Sequence, residues 1–346
     1  MRNIILGEMK MNVLAFLQNI WFIIIGVLFI GYSILDGFDL GLGMLLPFLA
    51  KKENDKKLLF NSITPVWDGN EVWLLTAGGA LFAAFPQAYA TVFSGFYLAL
   101  MLVLFALIFR AVSLEFWKQD EKRQKFWECA FIIGSFLPAL LYGVALGTII
   151  VGVPLNENME FTGNFFTLLR PFPLITGLLG MAAFLMQGSA YAILKTSAEL
   201  QATAKKALHT IWVAFMVIFV LSFVLAAVYL SSVITNFLAW LACAIVVAGW
   251  YMVKISLAKS KYGLVFLNSS LSLVGLWGIV GAIQFPNLVN AKDRTLSITI
   301  QNGSNSQLTL TVMLIITLIG LPLVIFYTVY VYRVFRGKAV LDGNGY

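Results

Sequence analysis

The sequence predicts an all-α polytopic membrane protein, and three observations carry that class. Of 346 residues, 60% are hydrophobic and only 11% are charged, whereas soluble domains hold about 45–50% apolar and about 25% charged residues. The mean hydropathy is +0.90. The apolar residues also run on without alternation, which excludes an outer-membrane barrel, in stretches of about 20 or more, enough to cross a ~30 Å hydrocarbon core as helix.

Nine spans follow in order, at about 17–48, 64–85, 89–112, 127–150, 172–194, 208–231, 234–254, 262–285 and 310–333. The first is preceded by the polar lead "MRNIILGEMKMNV" and is too long for one crossing, so it tilts or protrudes. It is long enough to span by itself, and no cleavable signal peptide is expected. The second is apolar from Val72 to Phe85 but opens with "TPVWDGNE". The sixth and seventh are separated only by the short "LSSVITNF". Before the last, "TLSITIQNGSNSQLTLTV" alternates and predicts a short hairpin around Asn302-Gly303. The whole chain, 1–346, reads as one integral membrane domain without tandem repeats.

Basic residues give the orientation. Lys51, Lys52, Lys56 and Lys57; Lys118, Lys122, Arg123 and Lys125; Lys195, Lys205 and Lys206; Lys254, Lys259 and Lys261; and Arg333, Arg336 and Lys338 all fall on one side of a nine-span chain. Those are seventeen of the 23 cations; Arg2, Lys10, Arg170, Lys292 and Arg294 fall on the other, and Arg110 lies within a span. The positive-inside rule then puts the N-terminus outside and the C-terminus in the cytoplasm, and removing any one span breaks the alternation. The same rule accounts for the net charge of +7 without a nucleic-acid partner.

Several chemistries are excluded. The single histidine, His209, sits at a span edge and reads as interfacial rather than as a ligand. Haem–copper and bis-histidine haem sites need more than one. There is no CxxC pair and no Walker A loop. Cys129 and Cys243 fall in apolar spans and are expected as buried free thiols. The chain is therefore expected to hold no redox metal and no haem of its own.

The candidate site is a set of intramembrane acids. Asp36 and Asp39 lie in "YSILDGFDLGLG", and Asp68 and Glu71 in "VWDGNEVW". Each pair has i, i+3 spacing and shares a helix face. Counted along helix, Asp36 lies roughly 22 Å from Lys51 and Asp68 roughly 17 Å from Lys57. The two pairs are thus expected to meet in the cytoplasmic half of the membrane, with Arg110 in reach as charge partner. An ionised carboxylate at bilayer depth costs about 2.5–3.5 kcal/mol on insertion scales. Four acids cannot all be neutralised by one arginine, so the remainder must be protonated, hydrated or beside a cation. That favours a proton-conducting entrance from the cytoplasm. A helix-positioning cluster with Arg110 as ionic glue is the plainer reading, weighted more heavily for Asp39 and Glu71 than for Asp36 and Asp68. Gly37 and Gly41, with Gly78, Gly79 and Ala83, mark expected close helix approaches.

"GYSILDGFDLGLGMLLPF", "NSITPVWDGNEVWLLTAGGALFAAFPQAYATVFSGFYLALMLVLFALIFR", "FTGNFFTLLRPFPLITGL" and the closing "SQLTLTVML" resemble subunit II of the cytochrome bd-type quinol oxidases. The resemblance covers about Gly31 to Tyr332 and is densest in the first 115 residues. It implies a haem-free, nine-helix subunit of a complex that reduces dioxygen with electrons from quinol in the bacterial cytoplasmic (inner) membrane. Haems b and d would sit in the partner, subunit I, which this chain would stabilise and supply with protons. The resemblance places the proton route on Asp36 and Asp68, and less securely on Asp39 and Glu71. A small single-helix accessory subunit and a structural quinone or lipid are further candidates. One departure is Val66, where better-known members carry histidine; a role for that histidine does not transfer. The region 231–236 is also shorter than in some relatives.

Two other classes compete. A proton- or sodium-coupled secondary transporter would use the same acids, but usually shows inverted repeats and midplane helix breaks. A structural scaffold would keep the acids only as ion pairs.

Overall fold

Twelve α-helices and one two-stranded antiparallel β-ribbon form the chain in the computed structural model, which describes residues 2–230 and 232–341. The end of the span expected over 208–231, and the extremes of the 1–346 domain, lie outside the described residues. The helices are α1 (Arg2–Leu49), α2 (Glu53–Ile63), α3 (Trp67–Ala84), α4 (Pro86–Gly95), α5 (Tyr97–Gln119), α6 (Gln124–Val151), α7 (Pro171–Lys195), α8 (Ala198–Tyr229), α9 (Ser232–Thr235), α10 (Phe237–Ala258), α11 (Tyr262–Gln284) and α12 (Gln307–Val334). Among the described residues eight helices are long and apolar enough to cross a membrane: α1 from Asn12 onward, α5, α6, α7, α8, α10, α11 and α12. The protein is thus an all-α polytopic membrane protein.

The second expected span, 64–85, coincides with α3, but the loop expected before it holds a further helix, α2. α2 starts with Glu53 and Asp55 in its first turn, where acids complement the helix dipole. It buries Leu59, Phe60 and Ile63. Lys56 donates to both carboxylate oxygens of Glu128 at 2.8 and 2.7 Å, and Trp117 Nε1 donates to Glu128 Oε1 at 3.2 Å. This pins α2 across α5 and α6. A turn at Thr64–Val66, holding Pro65, separates α2 from α3. The helical distance counted from Lys57 to Asp68 therefore does not apply: the two lie on different helices. The third span also shifts. α4 is a separate ten-residue helix with Pro86 at its start, and α5 begins only at Tyr97. At the break, the Phe161 ring lies 2.6 Å from where a Cβ on Gly95 would sit, so the loop after α6 packs directly against the Gly95 backbone.

Neighbouring helices pack in sequence order, α5 on α6, α6 on α7, α7 on α8 and α10 on α11, while α1 lies against α3, α6 and α7. α1 and α7 cross at glycine. A Cβ on Gly41 would lie 2.0 Å from the Phe184 carbonyl oxygen, and one on Gly188 would lie 2.6 Å from the Gly41 carbonyl carbon. Gly78 and Gly79 behave otherwise: among the described residues no other element lies within 4 Å of an added Cβ, so the close approach expected there is not made by them. The largest core cluster runs through α1, α2, α5, α6, α7, α8, α10 and α11, from Phe38 and Phe60 to Tyr191, Phe215 and Leu273.

Helix ends gather into two groups. At one end Gln18 donates to Ser304 Oγ (2.8 Å), Asn305 N donates to the Ala84 carbonyl (2.9 Å) and Val153 N donates to the Asn290 carbonyl (2.8 Å). At the other, Lys52 pairs with Glu199 (2.5 Å), Lys56 with Glu128, and Lys195 Nζ donates to the carbonyls of Phe335 and Gly337. The second group carries most of the basic loops and is the basic end of the bundle.

The hairpin expected around Asn302-Gly303 does not form. β1 (Asn287–Val289) pairs with β2 (Ile298–Thr299), so the strand turns back onto the preceding segment. From Gln307 the chain is already α12, capped by Ser306 Oγ, which accepts from Thr309 N at 3.3 Å. The "LTLTV" alternation opens an apolar run of spanning length, and lipid-exposed backbone must pair within its own helix. α12 itself buries only Leu310. It is held at its ends: Trp21 Nε1 donates to the Leu310 carbonyl (3.0 Å), and beyond its last turn Ala339 N donates to the Lys195 carbonyl (2.8 Å), Lys338 to the Thr196 carbonyl, and Asn61 Nδ2 to the Val340 carbonyl (2.9 Å). Both cysteines are free; Cys243 is buried, but Cys129 is exposed on the outer face of α6, a correction that follows from helix phase.

Candidate functional site: a buried ion cluster behind a polar cleft

Arg110 is the centre of the site. α5 can bring it inward because α6 offers Gly134 opposite: an added Cβ there would lie 2.6 Å from the Ala106 carbonyl oxygen and 2.8 Å from Arg110 Cβ. The guanidinium is 1% exposed. Nη1 donates to Asp36 Oδ2 at 2.9 Å and Nη2 donates to Asp36 Oδ1, a two-pronged pair between α5 and α1. This fork geometry is specific to arginine. Nη2 also lies 4.0 Å from Asp39 Oδ2, and Nη1 lies 3.7 Å from Glu71 Oε1. Asp36 and Asp39 are 0% exposed. The i, i+3 spacing on α1 turns both acids toward one cation.

Asp39 is held from a second direction. Asn70 Nδ2 donates to Asp39 Oδ2 at 2.8 Å, and the Tyr332 hydroxyl on α12 donates to Asn70 Oδ1 at 2.8 Å. Three atoms of the cluster are buried without a hydrogen-bond partner among the described residues: Asp39 Oδ1, Glu71 Oε1 and Arg110 Nε. Two acceptors and one donor are therefore left for water or an added proton.

Asp68 is not in the cluster. It is exposed and lines a cleft of about 450 Å³ at the basic end, with Thr64, Trp67, Glu115, Lys118 and Tyr327. Asn70 and Tyr332 line the same cleft. Together they form the wall between it and Asp39. The sequence-predicted residues thus divide: Asp36, Asp39, Glu71 and Arg110 converge, while Asp68 stands on the cleft side. Asn70 and Tyr332 escaped the sequence reading. Asn70 had a signal, being a further polar residue between two acids at membrane depth. Tyr332 had none, because its partner is 262 residues away.

A haem would need an axial ligand facing a cavity. His209 is exposed on α8 near the basic end and stacks at 6.5 Å on Trp212, and it lines neither the cleft nor a second, apolar groove of about 340 Å³ between α5 and α6. Among the described residues no three His, Cys, Asp or Glu side chains converge as a metal site. The single histidine is therefore not placed as a haem ligand.

A many-helix membrane bundle with a buried, arginine-centred acid cluster defines a polytopic membrane protein with an internal ionisable site. The model of the cytochrome bd terminal oxidase subunit II family matches residues 17–335, and the chain belongs to that family. It is 36% identical to the Escherichia coli (strain K12) cytochrome bd-I ubiquinol oxidase subunit 2, over 93% of this chain and 95% of that protein. It is 33% identical to the Bacillus subtilis (strain 168) cytochrome bd ubiquinol oxidase subunit 2, over 94% and 97%. A chain in the structure of bd oxidase from Geobacillus thermodenitrificans shares the fold, with a TM-score of 0.78 and 17% identity over 92% of this chain and 98% of that one. The protein is accordingly a haem-free subunit of an oxidoreductase complex, a multi-pass protein of the bacterial cytoplasmic membrane.

Proposed function

We propose that this subunit admits protons from the cytoplasm and passes them toward a haem-bearing subunit I, which oxidises quinol and reduces dioxygen. In this reading the chain crosses the membrane nine times, with its N-terminus outside. α3 is the ninth crossing: its 18 residues reach about 27 Å, and its apolarity is diluted by Asp68, Asn70 and Glu71, of which Asn70 and Glu71 face protein. The grouping of helix ends supports this count, and the positive-inside rule then makes the basic end cytoplasmic.

The observation that carries the proposal is the shared wall. Asn70 and Tyr332 face the cleft on one side and reach Asp39 on the other through hydrogen bonds of 2.8 Å. Asp68 collects protons in the hydrated cleft. Asp39 and Glu71, each with a free oxygen, hold a proton beside Arg110. Asp36, with both oxygens on Arg110, fixes the guanidinium that sets the charge of the cluster. One cation against three carboxylates leaves room for protons to come and go without building net positive charge. That same two-pronged pair favours a second role, as the strut joining α1 to α5. The groove between α5 and α6, lined by Phe105, Phe109 and Ile133, suits the tail of a structural quinone or lipid. A small single-helix accessory subunit remains compatible with the open outer faces.

The test is Asp39→Asn in the assembled oxidase. Asparagine keeps the shape and can still accept from Asn70. Oxygen consumption per haem should fall by about 10²-fold, the lower end for loss of a proton-transfer group. Asp68→Asn should cost less, because cleft water remains. Normal turnover per haem in Asp39→Asn would rule out the route.

A further inference from the structure

We propose that the phenols of buried Tyr32 and half-buried Tyr142 are the station beyond the ion cluster, relaying protons onward from it; this rests on the proton-route reading above. The Tyr32 hydroxyl donates to the Tyr142 hydroxyl at 3.3 Å. Their rings meet edge to face at 5.6 Å. Tyr32 is 3% exposed, in a cluster with Leu28, Trp73 and Ala77. Two hydroxyls at this depth are not needed for packing, since phenylalanine fills the same space without a polar atom to satisfy.

Their position is what matters. Tyr32, Asp36 and Asp39 lie at i, i+4 and i+7 on α1, one continuous face. Tyr142 lies eight residues beyond Gly134 on α6, the residue against which Arg110 packs. Side chains lean toward the start of their helix, so the Arg110 side chain on α5 and the Tyr32 side chain on α1 both lean away from the basic end. From the cleft, the buried polar groups therefore run in order: Asn70 and Tyr332, Asp39, Arg110 with Asp36 and Glu71, then Tyr32 and Tyr142. Side chains one helical turn apart are neighbours on the helix surface, and a water between their polar atoms would complete the connection by hydrogen bonds to both.

The step needs no oxidant and no ionised phenol. A proton arriving from the cluster bonds to the Tyr32 oxygen as the proton already there passes to the Tyr142 oxygen. The Tyr142 proton leaves in turn, and rotation of both hydroxyls restores the starting arrangement. Proton number and charge are unchanged over the cycle. Tyr142 is only partly buried, so it delivers at the surface of this subunit rather than inside it.

The experiment uses the complete oxidase with Tyr32→Phe, Tyr142→Phe and Asp39→Asn, each normalised to haem content. Both phenylalanine variants keep the ring contact and should assemble. Their oxygen consumption should fall several-fold, with a larger H2O-to-D2O rate ratio than wild type, because proton delivery becomes slower. Wild-type turnover and isotope effect in both, with Asp39→Asn slow, would overturn the relay and leave the route standing. Wild-type turnover in Asp39→Asn would overturn the route itself. Reduced haem content with unchanged turnover per haem would also overturn the relay, assigning the phenols to packing.

Discussion

Replacing Arg110 by methionine tests the energetics of the cluster most directly. The change keeps an unbranched apolar stem and removes the only cation within 4.0 Å of the three carboxylates among the described residues. Arg110 and Asp36 are 1% and 0% exposed, so solvent screening gives no relief. Removing one member of such a pair costs about 3–5 kcal/mol, or between two and nearly four orders of magnitude in the folded population. The complex should therefore be lost on detergent extraction, read as haem absorbance co-eluting with this subunit in size-exclusion chromatography. Adding Asp36→Leu should recover most of the loss, because a buried ion pair exchanged for apolar side chains is often neutral or stabilising. Recovery should be incomplete, since Asp39 and Glu71 still lack a counter-charge. Arg110→Met assembling like wild type, or the double variant being no better than the single one, would refute the reasoning.

Two further outcomes follow from the fold. Gly41→Ala should destabilise the subunit by about 1–3 kcal/mol, the usual cost of overpacking, because its Cβ meets the Phe184 carbonyl rather than a movable side chain; Gly79→Ala, with open space around it, should leave the thermal stability of the isolated subunit unchanged. At the basic end, the Lys52 ammonium beside Glu199 holds that carboxyl below its usual range. The pairing is therefore present above the ordinary carboxylate pKa and is lost only as pH falls through the lowered value. Both partners are exposed and screened by salt, so Glu199→Gln should give the same melting profile as wild type from pH 5 to 8 at physiological salt.

Composition and hydropathy made the helical membrane class legible, because lipid leaves the backbone few alternatives. The acids were legible for a related reason: a charge at bilayer depth is costly, so each one invites a cause. What escaped were matters of register and long-range contact. The helical count from Lys57 to Asp68 runs across the turn at Pro65 as if it were continuous helix, and so draws Asp68 into the cluster. Asp39, weighed below Asp68, is the acid that the Asn70–Tyr332 bridge reaches, a link from the last span through α3 to the first that no local pattern encodes. Gly78 and Gly79 look like packing glycines in one dimension, yet on α3 they face away from this subunit. The β2 strand pairs backward rather than forward, since the cap at Ser306 commits the following residues to helix.

The tethering of α12 by its tail has a consequence for how the chain is finished. α12 follows the other described helices in the chain, and it brings the hydroxyl that completes the wall in front of Asp39. Until residues 335–340 hook over the loop between α7 and α8, it is fastened by contacts near its start, by Leu321 and by Val331 and Tyr332. A stop codon just before Phe335 should thus yield a subunit that inserts normally but is short-lived, read as a lower steady-state level in the membrane.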